Sequence, residues 1–380
     1  MRKLPYDCVA LVLQGGGALG SYQAGVVEGL DEAGIHPDWV AGISIGALNT
    51  AIVAGNPPGR RAERLRAFWD EICQPAYFAP LPDALQAFVG RTDGDVRRAF
   101  SALDAWRALF EGQRGFFVPR VPPATWVQHA DPTTTSFYDT SPLKATLERH
   151  ADFDRINSGE VRVSVGAVNI RTGNFEYFDN TGERRGRLRP EHFMASGSLP
   201  PGFPATEIDG EFYWDGGLVS NTPLAEVLQA SPRRDTLVFQ VDLWSARGHL
   251  PSDLASVQTR QKDIQFSSRT RMVTDAMKTM QRHRRMLREV LQHVPEAVRA
   301  KDPWCQAAAR VACEHHYNVI HLIYRDKDYE GHYKDYEFGP ATMRMHWATG
   351  LDDVRRTLAH ADWLELPPDG AEFVTHDIHR

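Results

Sequence analysis

At 380 residues, with 42% hydrophobic and 24% charged residues, the chain has the composition of a globular protein large enough for two domains, or for one domain with insertions. A formal net charge of −6 argues against a general nucleic-acid binder. The four cysteines, Cys8, Cys73, Cys305 and Cys313, are scattered and form no disulfide framework, and no segment reaches transmembrane length; the expectation is a cytoplasmic protein with only peripheral membrane contact.

The basic start, Met1-Arg2-Lys3, and the apolar run Cys8 to Leu13 together have the outline of a signal peptide. The run is short, has no small-residue cleavage site and leads directly into Gly15-Gly16-Gly17-Ala18-Leu19-Gly20, so it reads as a buried parallel strand. Ser21 to Ala33 follows as a helix, with Tyr22, Val26, Val27 and Leu30 on one face and Gly34 at its C-cap. Trp39 to Ile43 and Ile45 to Ala54 repeat the strand–helix order. This alternation predicts an α/β fold, a three-layer sandwich whose mainly parallel sheet is covered on both faces. Arg60 to Cys73 reads as a helix. The stretch 75–132, rich in proline and aromatics, predicts short helices inserted into the sheet domain, either as a lid over a pocket or as a small core of their own.

Ser141-Pro142 starts a helix, with serine as N-cap and proline at the first helical position. Val161 to Ile170 and Asn174 to Phe178 read as strands joined by Arg171-Thr172-Gly173, and Asp209-Gly210 turns the chain into Glu211 to Trp214. Thr222-Pro223 opens another capped helix, and Thr236 to Leu243 is a further buried strand. Beyond about residue 245, residues 252–300 form long helical patterns with much Arg and Lys. Asp302-Pro303 and Gly339-Pro340 open further helices, Asn318 to Tyr324 is a strand candidate, and Leu366 to Arg380 is expected to be loosely ordered. The expected division is a domain over 6–243 and a mostly helical C-terminal extension over 244–380 packed on it.

Two glycine-rich turns carry the chemistry. The first, Gly15 to Gly20, offers bare backbone N–H groups at a helix N-terminus, which suits an anion. The second, Gly42-Ile43-Ser44-Ile45-Gly46, is a G-x-S-x-G elbow, where flanking glycines let a strand turn sharply into a helix and leave the serine oxygen exposed. A nucleophile beside a site for the oxyanion it creates points to acyl transfer, most simply ester hydrolysis. A serine hydroxyl needs a base. The histidines offer no pair in an obvious triad context, and the best acidic candidate is Asp215 in Trp214-Asp215-Gly216-Gly217, at a strand end where two glycines allow close backbone approach.

These three glycine motifs, in this order, resemble the patatin-like lipid acyl hydrolases over roughly residues 6–243. The resemblance implies a Ser–Asp dyad with no histidine: Ser44 as nucleophile, Asp215 as base, and an oxyanion hole from the amides of Gly15, Gly16, Gly17 and Ala18, chiefly Gly16 and Gly17. Gly20, Gly42, Gly46, Gly216 and Gly217 support the turns. It implies a lipid or other ester substrate and no metal or organic cofactor. Ala195-Ser196 to Pro200-Pro201 and Asn221-Thr222-Pro223 also fit the family pattern. One position departs from it. The family often carries Arg or Lys where Leu19 stands, next to the expected anion site. The part beyond residue 245 looks like an extension found on some bacterial patatin-like proteins.

Three rival readings stand beside this one. Gly15, Gly17 and Gly20 satisfy G-x-G-x-x-G of dinucleotide-binding folds, although the second strand ends in Ala41-Gly42-Ile43-Ser44 without the carboxylate that a ribose requires. An α/β-hydrolase with a Ser–Asp–His triad would recruit a downstream histidine such as His249. A hydrolase-like domain that only binds is the third. The spacing of Cys305, Cys313, His315 and His316 matches no common zinc pattern and reads as core cysteines and surface histidines. The basic run of Arg260, Lys262, Arg269, Arg271, Lys278, Arg282, Arg284, Arg285 and Arg288 would suit an anionic membrane, but the commoner meaning of such a run is a solvated helix face.

Overall fold

The computed structural model describes residues 4–77, 82–89, 91–92, 94–126, 131–181, 186–327, 330–368, 371 and 373–379. The chain opens with β1 (Cys8–Leu13), α1 (Ser21–Glu32), β2 (Trp39–Gly42), α2 (Ile45–Ala54) and α3 (Arg61–Ile72). The aromatic-rich stretch contributes α4 (Asp83–Val89), α5 (Gly94–Glu111) and β3 (Val118–Pro119), which pairs antiparallel with β4 (Tyr138–Asp139). Next come α6 (Ser141–His150), α7 (Phe153–Ser158), β5 (Arg162–Asn169), β6 (Phe175–Asp179), α8 (Pro190–Ser196), β7 (Thr206–Ile208), β8 (Glu211–Asp215), α9 (Leu224–Gln229) and β9 (Thr236–Asp242). The remainder holds α10 (Leu254–Gln292), α11 (Glu296–Arg299), α12 (Pro303–Val311), β10 (Tyr317–Ile323), α13 (Pro340–Leu358) and β11 (Phe373–Asp377).

Nine described strands form one mixed sheet in the order β11-β10-β9-β1-β2-β5-β8-β7, with β6 on the free edge of β5. From β11 to β5 all pairings are parallel; β6 and β8 pair antiparallel with β5, and β7 pairs antiparallel with β8. Alternation along β1 explains the layers. Val9, Leu11 and Leu13 face the large core built with α1, α2 and α3, whereas Cys8, Ala10 and Val12 face Leu224, Val227 and Leu228 of α9 and Met277 of α10. The expected covered, mainly parallel sheet is therefore present, and the C-terminal helix α10 supplies part of the second cover.

The C-terminal part also enters the sheet and the first helical layer. β10 pairs with β9, and the tail expected to be loosely ordered carries β11, parallel to β10. α13 packs on α1 backbone to backbone: a Cβ on Gly25 would come within 2.0 Å of the Trp347 carbonyl oxygen, and one on Gly350 within 2.1 Å of that of Tyr22. Two helix starts differ from expectation by one position. Thr140, not Ser141, is the N-cap of α6, and Pro223 is that of α9. The inserted stretch holds an 18-residue helix, α5, and not short helices alone.

Candidate active site

β2 ends at Gly42 and α2 begins at Ile45, which leaves Ser44 at the turn with φ 56° and ψ −126°. A non-glycine residue in the positive-φ region is held there by its surroundings. The turn closes tightly because both flanking residues lack a side chain. A Cβ on Gly46 would lie 2.3 Å from the Leu13 carbonyl oxygen, and one on Gly42 would lie 2.3 Å from that of Gly46. Ser196, at the end of α8, fastens the elbow from the other side. Its buried hydroxyl accepts from the Ser44 amide at 2.9 Å and donates to the Gly166 carbonyl at 2.6 Å.

Sheet register brings the aspartate to the serine. Gly42 of β2 lies opposite Val165 of β5, and Asp215 of β8 lies opposite Ala167, two residues further along β5. β6 occupies the other edge of β5 over residues 164–168, so β8 continues the edge that β2 leaves. Ser44 is likewise two residues beyond Gly42. Its Oγ donates to Asp215 Oδ2 at 2.6 Å. The second carboxylate oxygen, Oδ1, accepts from the Gly217 amide at 2.6 Å, and the Asp215 amide is tied to the Ser198 carbonyl. Burial pushes the Asp215 carboxyl up to about 7, against the lowering effect of the Ser44 and Gly217 hydrogen bonds. Among the described residues no histidine bonds either partner, and His249 lies exposed in the segment after β9.

The first glycine turn is built around the same point. Asn221 holds it through both backbone groups of Gly15: the Gly15 amide donates to the Asn221 carbonyl at 3.2 Å, and Asn221 Nδ2 donates to the Gly15 carbonyl at 2.9 Å. Trp244 Nε1 donates to that carbonyl as well, at 2.9 Å. The Ala18 amide donates to the Asp335 carbonyl at 2.8 Å. Of the four amides from Gly15 to Ala18, those of Gly16 and Gly17 have no hydrogen-bond partner among the described residues. Gly15, Gly16 and Gly17 line the cavity that holds Ser44. Leu19, expected beside the anion site, is fully buried in the core and does not line that cavity.

The cavity has a volume of about 310 Å³ and mostly apolar walls. Ser44 and Asp215 stand at one side, and Leu48, Phe117, Pro201, Phe203, Phe266 and Phe338 are among its walls. The inserted aromatics Phe116 and Phe117 join the large core and do not form a small core of their own. Phe116 and Phe117 are buried against Phe203 and Phe338, and they line the cavity too. Trp244, Phe266, Asp335, Tyr336 and Phe338 come from beyond residue 243, and reading the glycine motifs alone missed them. The aromatic spacing there gave no signal, because these residues meet only through tertiary contacts.

Other singled-out residues lie elsewhere. In the basic run, Arg260 donates to the Ala246 carbonyl at 2.6 Å, Lys262 pairs with Asp335 at 2.7 Å, Arg284 is buried and Arg288 pairs with Glu314. Arg271, Lys278 and Arg282 are exposed, Arg285 is half-buried, and the Arg269 side chain lies outside the described residues. The run is therefore only partly a solvated face. His315 and His316 both face Asp235, at 3.5 and 3.3 Å, and Cys313 is buried.

Residues 11–228 match the family model described as Patatin-like phospholipase, and residues 264–370 match a second model, DUF3734, described as Patatin phospholipase. The lysophospholipase nte1 of Aspergillus terreus is 53% identical over 53 residues, which is 14% of this chain and 4% of that protein. Human patatin-like phospholipase domain-containing protein 6 is 40% identical over 68 residues, 18% of this chain and 5% of that protein. The chain thus matches only a small fraction of the length of these curated relatives. Among solved structures, VipD from Legionella pneumophila aligns over 93% of this chain and 67% of its own, with 14% identity and a TM-score of 0.40. No described helix is long and apolar enough to cross a membrane.

Proposed function

This chain belongs to the patatin-like phospholipase family, and from that premise we propose that it is a serine acyl hydrolase that cleaves carboxylic esters of lipids with a Ser44–Asp215 dyad. The observation that carries the reading is the 2.6 Å hydrogen bond from Ser44 Oγ to a buried carboxylate oxygen in an apolar cavity. As Oγ bonds to the ester carbonyl carbon, its proton passes to Asp215 Oδ2. The carbonyl oxygen becomes an oxyanion, which the amides of Gly16 and Gly17 receive; one such donor is worth ~3 kcal/mol in the transition state. The tetrahedral centre collapses, the bond to the alcohol oxygen breaks, and Asp215 returns the proton to it. Water then attacks the acyl-serine with Asp215 again as base, which releases the carboxylic acid and restores Ser44. The apolar walls accept the acyl chain. No step calls for a metal or an organic cofactor.

A fluorophosphonate probe tests the assignment. It is expected to label the wild type at Ser44 alone, and Ser44→Ala is expected to lose both labelling and ester turnover. Labelling at another serine, or turnover that survives in Ser44→Ala, would overturn it. A chain-length series of simple esters and phospholipids, run with the same pair, ranks the substrates.

A further inference from the structure

The outward face of α5 is apolar. Ala105 and Ala108 turn inward and are buried, whereas Leu103, Trp106 and Phe110 recur at three- and four-residue spacing on the opposite side and are exposed, Phe110 to 72%. Trp106 stacks on Phe110 with 5.4 Å between ring centroids. Leu109, at the flank of this stripe, is 38% exposed and also lines the cavity that holds Ser44. Leu199 is exposed and lines the cavity too, and the exposed Phe137 donates its amide to the carbonyl of Pro201, another wall residue. The apolar surface thus begins inside the cavity and continues outward over α5. An exposed apolar patch of this kind marks an interaction site.

We infer that this rim is a docking surface for a lipid layer, held by apolar insertion and not by charge. The inference rests on the acyl-hydrolase reading only for its choice of occupant: a surface continuous with an acyl cavity passes a lipid chain inward, whereas a folded partner seated there would block the entrance. The charges of α5 next to the stripe are matched within the helix, Arg98 with Asp95 at 3.2 Å and Arg107 with Glu111 at 3.1 Å, so the face does not select an anionic layer. Tryptophan and phenylalanine suit the boundary between head groups and acyl chains. This separates docking from the basic run of α10, much of which is engaged within the protein.

The test uses the full chain carrying Ser44→Ala, which cannot consume the lipid, sedimented with phosphatidylcholine vesicles at low and raised salt. It is expected to co-sediment at both. Adding Trp106→Ser and Phe110→Ser, with thermal unfolding as the check on folding, is expected to lower partitioning about tenfold or more, since two inserted aromatic side chains are removed. The surface is overturned if the parent stays in the supernatant, if the double change sediments equally, or if salt alone releases the parent. It is also overturned if the parent is a dimer that the double change converts to monomer, which assigns the face to a second copy. Fluorophosphonate labelling of the chain with Ser44 intact reports on the dyad separately. Lost labelling with retained vesicle binding removes the catalytic reading and keeps the surface; retained labelling without vesicle binding does the reverse.

Discussion

The backbone amide of Ala18 donates to the carbonyl of Asp335 at 2.8 Å, across more than three hundred residues of chain. Through this bond the C-terminal part holds the glycine turn proposed as the oxyanion hole. Asp335 is itself fixed, because both of its carboxylate oxygens accept from Lys262 Nζ, at 2.7 and 2.9 Å, and the same ammonium donates to the His332 carbonyl. Next to it the buried Lys334 bridges Asp263 and Asp326 and stands 4.9 Å from the Trp244 ring, whose indole nitrogen donates to Gly15. α10 and the segment before α13 thus brace the turn from outside.

Gly17→Ala should test how closely that brace fits. Gly17 has φ +56°, and a Cβ there would meet the Asp335 carbonyl oxygen at 2.0 Å, so backbone must move. The conformation alone costs an alanine about 1 kcal/mol. Displacing the turn also misplaces the Gly16 and Gly17 amides, and the expected loss in kcat/KM on a water-soluble ester is about a hundredfold or more. Unchanged turnover with an unchanged Tm would show that the turn has no part in the transition state.

Lys262→Met removes the clamp on the wall residue Asp335, while Lys262 does not itself line the cavity. Its ion pair is partly exposed, so the stability loss is expected to be about 1 kcal/mol in chemical denaturation. Turnover is expected to fall more than KM rises, because an amide that drifts away from the oxyanion is missed only in the transition state. A pure KM effect would place Lys262 in substrate binding instead.

Ser196→Ala strips two buried partners at once, the Ser44 amide and the Gly166 carbonyl. Leaving both unsatisfied is expected to cost about 2–4 kcal/mol of stability. Fluorophosphonate labelling of Ser44 should slow as well, since the elbow loses the contact that holds its amide. A stable variant that labels at the wild-type rate would show that the positive-φ turn is secured by the glycines alone.

Parts of this architecture are legible in the sequence, for a physical reason. β1 and β2 are short apolar runs that end in glycine turns, and Ser44 and Asp215 each sit where such a strand ends, so local composition marks them. The caps mislead because the polar residues are used elsewhere. The Ser141 hydroxyl donates to Asp139, whose other oxygen accepts the Ser141 amide, and Thr222 Oγ1 accepts from Gln14 Nε2. β11 escapes because its residues are all half-buried and only pairing with β10 defines it. Gln14, Trp244 and Asp335 carry no local signature. Gln14 Oε1 accepts from the amides of Leu243 and Trp244, a contact made only when β9 lies beside β1.

Asp215 ties activity and stability to pH, because the carboxyl proposed as base is also one that burial disfavours as an anion. With its folded value pushed up to about 7, it is mostly protonated below that pH, and turnover should rise as pH passes through about 7 and level off above it. Stability should run the other way. A carboxyl whose folded value lies above its unfolded one contributes stability that is fully present below about pH 4 and is lost as pH rises through about 7. The order of the effect is ~2–4 kcal/mol, the free energy of a shift of this size. Asp215→Asn removes the titration and keeps the shape. It should lose ester turnover by about a hundredfold to ten-thousandfold and should unfold at a higher temperature than wild type above pH 7. Urea titrations of both proteins across pH 4 to 8, beside the pH–rate profile of the wild type, check both halves. An Asp215→Asn variant that keeps turnover, or a stability difference that does not grow with pH, would remove Asp215 from the role of buried base.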